Sequence, residues 1–182
     1  MLTRADVEVR RSVDPAHLTP LTDEQAASRN GMMLNHDYVD VRGCSLADAR
    51  HALAEEAEML DQLEAADWTG DVADRLMDEA YEESEFLFGF DTGVAGAIYA
   101  LSAAGATPIT SCNGGVIEGF PHSCDVPTIL FSATREVLPP ILRAATAADV
   151  GLINNYGHVE LFTDWLPKLH AFAKCLLADL EC

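Results

Sequence analysis

The segment from Gly93 to Gly105, GVAGAIYALSAAG, constrains the fold more than any other part of this 182-residue chain. Its side chains are small and apolar around the whole circumference of a helix, so a helix built from it has no face that prefers water. Such a helix must lie inside a domain. Gly93 and Gly96 each cost about 1 kcal/mol of helix propensity relative to alanine. We therefore expect close packing, or a ligand at the helix start, to compensate.

Two amphipathic helices are predicted before this segment. Ser45 and Asp48 form a variant of the capping box, and apolar residues follow at helical spacing until Trp68-Thr-Gly breaks the pattern. A second helix runs from about Asp71 to Leu87. The short loop between them predicts an acidic helical hairpin over residues 45–88. Residues 1–44 are interpreted as an N-terminal arm that packs over the domain, with Val39-Asp40-Val41 as a candidate edge strand.

After Gly105 the pattern changes to short β-like runs at 106–112, 115–119, 128–132, 151–155 and 158–163. Asn113-Gly114 predicts a hairpin, because both residues tolerate the positive φ of a type I′ turn, and Tyr156-Gly157 predicts a second one. The expected fold class is α+β, with a mostly antiparallel sheet of about five strands packed with helices. Residues 45–182 would form a single domain with its sheet-and-helix core at 89–182. The Rossmann and P-loop glycine fingerprints do not occur.

Acidic residues dominate the charge of the chain and cluster in one region. The formal net charge is −19, which discourages binding to phosphates, so no nucleic-acid partner is expected. Residues 55–91 contain fourteen Asp or Glu and a single cation, Arg75. One interpretation is a solvated face of two helices. The other is an acidic docking surface for a basic protein partner.

The N-terminus and the cysteines bear on location. The stretch MLTRADVEVRRSVD has no apolar h-region, and no run approaches 18 apolar residues, so neither a secretory signal nor a membrane span is expected. The five cysteines form no CxxC pair. These features predict a cytoplasmic protein with reduced thiols.

Polar residues at three strand ends suggest a pocket, provided that the three connections share one edge of the sheet. A thiol, imidazoles, amides and a carboxylate would then be neighbours, and the glycine-rich turn would expose N–H groups that could hold an anion. The candidate catalytic residues are Cys112, as nucleophile or ligand, and His122 or His158, as base. The candidate ligand-binding residues are Asp91, Ser111, Asn113, Gly114, Gly115, Asp125, Asn154 and Tyr156.

Each candidate also has a structural interpretation. Cys112 is typical of a small buried apolar residue, Asp91-Thr92 of a helix cap, and Asn154 to Gly157 of a hairpin turn. Cys112, His122 and Cys124 could instead bind zinc, with His158 or Asp125 as a fourth ligand, although the spacing matches no compact zinc pattern. The sequence identifies no cofactor.

The segment Thr110-Ser111-Cys112-Asn113-Gly114 resembles the Ser-Ser-Cys-Ser-Gly-Arg segment of the wybutosine-synthesis methyltransferases, which act on transfer RNA. In that family a histidine follows the next strand, and His122 sits similarly here. The resemblance implies a related fold and a pocket at Ser111, Cys112, Asn113 and His122. The arginine of the family is Gly115 here, and the net charge argues against gripping RNA. We therefore do not expect the reaction or S-adenosylmethionine to carry over.

Two functions follow as expectations. The first is an acidic binding or regulatory protein that contacts a basic protein partner through residues 55–91 and has a small-ligand pocket around Cys112. The alternative is an enzyme that acts on a nucleotide or small molecule with Cys112 and His122 or His158 at its site. A homodimer built on exposed apolar helix stripes is compatible with either.

Overall fold

The structure, a computed structural model, describes residues 5–28, 39–114 and 124–181. Within these ranges, a mostly antiparallel five-stranded sheet packs with six α-helices, which confirms the predicted α+β class. The strands are β1 Arg11–Ser12, β2 Thr107–Cys112, β3 Thr128–Ser132, β4 Gly151–Asn155 and β5 His158–Phe162. The helices are α1 Asp23–Ser28, α2 Leu46–Ala65, α3 Gly70–Glu83, α4 Ala95–Ala103, α5 Leu138–Ala147 and α6 Pro167–Leu180.

The strand order is β1-β4-β5-β3-β2, and only the β1–β4 pair of these described strands is parallel. One face of the sheet, the helix face, buries the apolar core against the helices; it carries Ile129, Phe131, Leu152, Val159 and Leu161. The other face, called here the Glu160 face, has one row that crosses all five strands. That row is Ser12, Ile153, Glu160, Leu130 and Thr110.

Helix α4 is the buried helix that the sequence predicts. All its residues from Ala95 to Ser102 are buried, and it packs against α2 and α6. A Cβ on Gly96 would lie 2.6 Å from the Glu56 carboxylate and 2.9 Å from Leu53, and one on Gly93 would lie 2.7 Å from Leu166. Close packing therefore accounts for Gly96. Gly93 precedes α4 and has a φ of +85°, a left-handed conformation that itself favours glycine.

The two ends of α2 follow from local chemistry. Ser45 accepts the Asp48 N–H and Asp48 accepts the Ser45 N–H, which confirms the capping box. At the other end, Asp67 and Trp68 adopt positive φ angles of 53° and 55°. The Trp68 ring is buried and meets Trp165 at a centroid distance of 5.1 Å. The break at Trp68 thus anchors the hairpin to the start of α6.

The N-terminal arm joins the sheet. The Leu152 N–H donates to the Arg10 carbonyl at 2.7 Å, and the Leu21 N–H donates to Ser132 Oγ at 2.8 Å. The arm supplies the edge strand Arg11–Ser12, and residues 39–41 form no strand, so the expectation of an edge strand at Val39-Asp40-Val41 is wrong. The Val41 carbonyl instead accepts the Ser102 hydroxyl at 2.6 Å, which holds that segment against α4.

Strand β2 pairs with β3, in an antiparallel register that sets Cys112 opposite Thr128. The predicted return strand at 115–119 lies outside the described residues. No helix among the described residues is long and apolar enough to cross a lipid bilayer.

Candidate functional site

The end of β2 brings four of the candidate residues together. Because α4 runs antiparallel to β2, the loop that begins α4 lies beside the end of the strand. The Asn113 N–H donates to Asp91 Oδ2 at 3.2 Å, and the Gly114 N–H donates to Cys112 Sγ at 3.3 Å. Asn113 is completely buried and Cys112 is 5% exposed. The N–H groups of Asn113 and Gly114 are thus hydrogen-bonded within the chain itself.

The structure explains why residue 114 is a glycine. Its φ is +81°, and a Cβ at this position would lie 2.7 Å from the carbonyl carbon of Val126 and 2.8 Å from the nitrogen of Pro127. Asn113 is not among the described residues with positive φ. The type I′ geometry is therefore wrong for Asn113-Gly114, because that turn needs positive φ at both residues. Gly115 and His122 lie outside the described residues.

Asp125 and Ser111 take different positions near this edge. Asp125 is exposed in the bend that precedes β3, at the same edge as Cys112. Ser111 pairs with Ile129 and therefore lies on the helix face, whereas Cys112 lies on the Glu160 face. Neighbouring residues of the candidate site thus point to opposite sides of the sheet.

His158 lies at the opposite end of the strands from Cys112. Thr128 is opposite both Cys112 and Phe162, and His158 is four residues before Phe162 on β5, roughly 13 Å along the strand. The expected convergence of three connections at one edge is therefore wrong for the turn that contains His158. Direct proton transfer between Cys112 and His158 needs a contact of about 3 Å, so these two residues do not form a catalytic pair.

The imidazole of His158 is partly buried, and its Nδ1 has no hydrogen-bond partner within the described residues. Burial lowers the pKa of His158 below its ordinary value. A lowered pKa means that the folded state prefers the neutral ring, so the stability contributed by His158 is lost as the pH falls below about 6.5.

Asn154 and Tyr156 lie at the same end of β4 and β5 as His158. Asn154 accepts the Asp14 N–H at 2.6 Å and donates to the Asp14 carbonyl at 3.1 Å, so its amide secures the N-terminal arm. Tyr156 is 99% exposed at the tip of the β4–β5 hairpin, with a φ of +46°. The expectation that these residues share a pocket with Cys112 is wrong, because they lie at the opposite end of the strands.

Sequence reasoning missed a buried carboxylate where three helices meet. Glu56 of α2 is only 1% exposed. Its Oε1 accepts the Gly96 N–H of α4 at 3.0 Å, and its Oε2 lies 3.2 Å from His170 Nδ1 of α6. The carboxylate thus satisfies an orphan N–H at the start of α4, where negative charge is favourable.

A signal for this site exists in the sequence. Glu56 falls in line with Ala52, Met59 and Leu63, all buried, at spacings of three or four residues. An acid inside an apolar stripe indicates a buried partner. The acidic excess of residues 55–91 hides this signal, and no local pattern marks His170 as that partner.

The loop before α4 contains a second buried polar group. Asp91 and Thr92 provide no side-chain cap for α4, whose N-cap is Val94, so the prediction of a cap at Asp91-Thr92 is wrong. Thr92 is 3% exposed, and its Oγ1 has no hydrogen-bond partner within the described part of the chain. It lines a cavity of about 10 Å³ with Glu56 and Asp91, which is the size of a single water.

Helices α2 and α3 flank a shallow groove of about 230 Å³ that is open to solvent. Apolar side chains of Met59, Leu76 and Leu87 line its base. Its sides carry four acidic residues, Glu55 and Glu58 from α2 and Glu79 and Glu83 from α3. In this groove of the acidic hairpin, negative charge and a concave shape coincide.

Within the described ranges, no group of three or more His, Cys, Asp or Glu residues could hold a metal ion. The zinc alternative at Cys112, His122 and Cys124 includes a residue outside those ranges. Comparisons of the chain with protein-family models, curated proteins and solved structures found no match. The resemblance to the wybutosine-synthesis methyltransferases therefore stays a prediction.

Proposed function

We propose that this chain is a binding protein that takes up a basic amphipathic segment of a partner protein between α2 and α3. The observation that supports this proposal is the groove of about 230 Å³, in which carboxylates flank an apolar base. A basic helix that lays its apolar face into such a groove places its cations beside the carboxylates.

The charges of the groove favour a cationic ligand. Glu55 and Glu58 are three residues apart on α2, and Glu79 and Glu83 are four apart on α3, so like charges are neighbours on each helix and repel one another. Arg75 forms an ion pair with Glu79, and the Ser84 hydroxyl donates to Glu55. One cation against four carboxylates leaves the groove acidic. A basic ligand would relieve the repulsion and increase the association rate.

A defined peptide can test the proposal. The probe is a Leu/Lys peptide of about 15 residues with an amphipathic helical pattern, and its affinity is measured by calorimetry at about 50 and 500 mM NaCl. The groove variant combines Glu58→Lys, Glu79→Lys and Glu83→Lys. The control variant combines Glu24→Lys, Asp125→Lys and Glu136→Lys, which are exposed positions outside the hairpin.

Both variants raise the net charge by the same amount, so they separate the groove from the overall charge. We expect the groove variant to lose at least about tenfold in affinity, the control variant to keep most of its affinity, and salt to weaken binding to the unmodified protein. Equal losses in the two variants would refute the proposal, and so would an affinity that does not respond to salt.

A further inference from the structure

A cavity of about 430 Å³, open to solvent, lies on the Glu160 face of the sheet, and Val7, Glu8, Arg10 and Ser12 of the N-terminal arm form part of its lining. Its apolar walls are Val7, Val126, Ile153 and Phe162. Pockets for small molecules are of this size and are mostly apolar, with a few polar groups that fix the orientation of the ligand. The shape therefore suits a small organic molecule.

Glu160 is the acidic group of this cavity on the sheet itself. It stands in the middle of the row that crosses all five strands, between Ile153 and Leu130. Its Oε2 accepts Asn155 Nδ2 at 2.7 Å, which fixes the carboxylate in place. Among the described residues, no cation forms an ion pair with Glu160. The Arg10 guanidinium at the rim pairs with Glu8, at 2.5 Å.

A half-buried carboxylate between apolar walls is stabilised by a cation that brings its own apolar surface. A metal ion would need several more oxygen or nitrogen ligands, and within the described residues no group of three or more His, Cys, Asp or Glu side chains is placed to hold one. We infer that this cavity binds a small organic amine, with its ammonium group on Glu160 and its apolar body against Ile153 and Phe162. The inference does not depend on the groove between α2 and α3.

Three probes of equal length test this site: n-hexylamine, 1-hexanol and hexanoate. Each is titrated into isotopically labelled protein at constant ionic strength and followed by amide chemical shifts. We expect hexylammonium to bind about tenfold or more tightly than hexanol, hexanoate to bind least, and the largest shifts to fall at Ile153, Glu160 and Phe162. These titrations use the unmodified protein.

Two variants, Glu160→Gln and Ile153→Trp, then test whether binding depends on the charge of Glu160 and on the volume of the cavity. Glu160→Gln keeps an acceptor for Asn155 but removes the charge, so hexylammonium should bind no better than hexanol. Glu136→Gln, at an exposed position outside the cavity, should bind like the unmodified protein. Ile153→Trp should weaken both probes by filling the cavity. The inference is overturned if hexylammonium does not bind, binds as weakly as hexanol, shifts other residues most, or is insensitive to Glu160→Gln.

Discussion

Two glycines with the same backbone conformation have different surroundings. Gly43 and Gly114 have φ angles of +76° and +81°. Around Gly43 nothing among the described residues lies within 4 Å of an added Cβ, whereas at Gly114 the backbone of Val126 and Pro127 lies within 3.0 Å. The pair separates the effect of the left-handed conformation from the effect of close packing.

Gly114→Ala should therefore destabilise the protein more than Gly43→Ala. A left-handed alanine costs about 1–2 kcal/mol at either position, and the contact with an immobile backbone adds about 1–3 kcal/mol at Gly114 alone. Urea denaturation of both variants measures the difference in the free energy of unfolding. Equal losses would mean that the approach of Gly114 to Val126 and Pro127 does not matter.

Glu56 and Gly96 depend on one another. The carboxylate occupies the space where a side chain at Gly96 would go, and it accepts the Gly96 N–H. Because Glu56 also contacts His170, its carboxylate cannot move without losing contacts on two helices. We therefore expect the energetic effects of substitutions at these two positions to be non-additive.

A double-mutant cycle tests this coupling. Glu56→Ala leaves the Gly96 N–H without its acceptor and His170 without its carboxylate, and each buried polar group left unsatisfied should lower the free energy of unfolding by about 1–3 kcal/mol. Gly96→Ala alone should cost about 1–3 kcal/mol. In the Glu56→Ala background the clash with the carboxylate disappears and the helix gains about 1 kcal/mol of propensity. Gly96→Ala should then be close to neutral, whereas an unchanged cost would contradict the coupling.

At the level of secondary structure, the periodic elements could be predicted and the turns only in part. The apolar circumference of α4 and the capping box of α2 are local signals, so they predict both helices. The Asn113-Gly114 turn depends on a distant backbone, at Val126 and Pro127, which no local pattern indicates. The β1 strand depends likewise on hydrogen bonds to β4, some 140 residues away in the chain.

The candidate site was harder to predict for the same reason. The structure does bring together Asp91, Cys112, Asn113 and Gly114. The register of β3 with β5, however, places His158 at the other end of the strands. A register is set by long-range pairing and by which face is buried. Composition places Glu56 on the acidic surface, although its position in the apolar stripe of α2 indicates burial.

The β4–β5 hairpin has a turn residue that is not the best choice for its conformation. Asn155 pairs with His158, so Tyr156 and Gly157 form a two-residue turn, and their φ angles of +46° and +87° follow the type I′ pattern. Asparagine tolerates positive φ better than tyrosine does. Tyr156 is 99% exposed, so little packing is lost when it is replaced.

Tyr156→Asn should therefore raise the free energy of unfolding by about 0.5–1 kcal/mol. Tyr156→Val is the matched control, because a β-branched side chain is worse than tyrosine at positive φ and should destabilise the hairpin. Thermal and urea denaturation of the three proteins should rank their stability in the order Asn, Tyr, Val. A different order would argue against the type I′ conformation.

On the scale of the whole molecule, the negative charge is unevenly distributed. Ten acidic residues of the described stretch between Glu58 and Glu85 are exposed, and the ion pair of Arg75 with Glu79 compensates only a small part of their charge. Other ion pairs, such as Arg143–Asp179 and Lys168–Asp164, lie on α5, α6 and the segment before α6. The carboxylates of the hairpin thus repel one another, whereas negative and positive charges are closer to balance on the rest of the described surface.

Salt should therefore stabilise the protein. Surface ion pairs contribute about 0–1 kcal/mol each and weaken with salt, but with a net charge of −19 the repulsion outweighs them. Raising NaCl from about 50 to about 500 mM shortens the screening length from roughly 14 to roughly 4 Å, and each 1 kcal/mol gained should raise Tm by about 2–4 °C. The variant with Glu58→Lys, Glu79→Lys and Glu83→Lys should gain less from salt, because part of the repulsion is already gone. A Tm that falls with salt in the unmodified protein would mean that its ion pairs outweigh the repulsion of the hairpin.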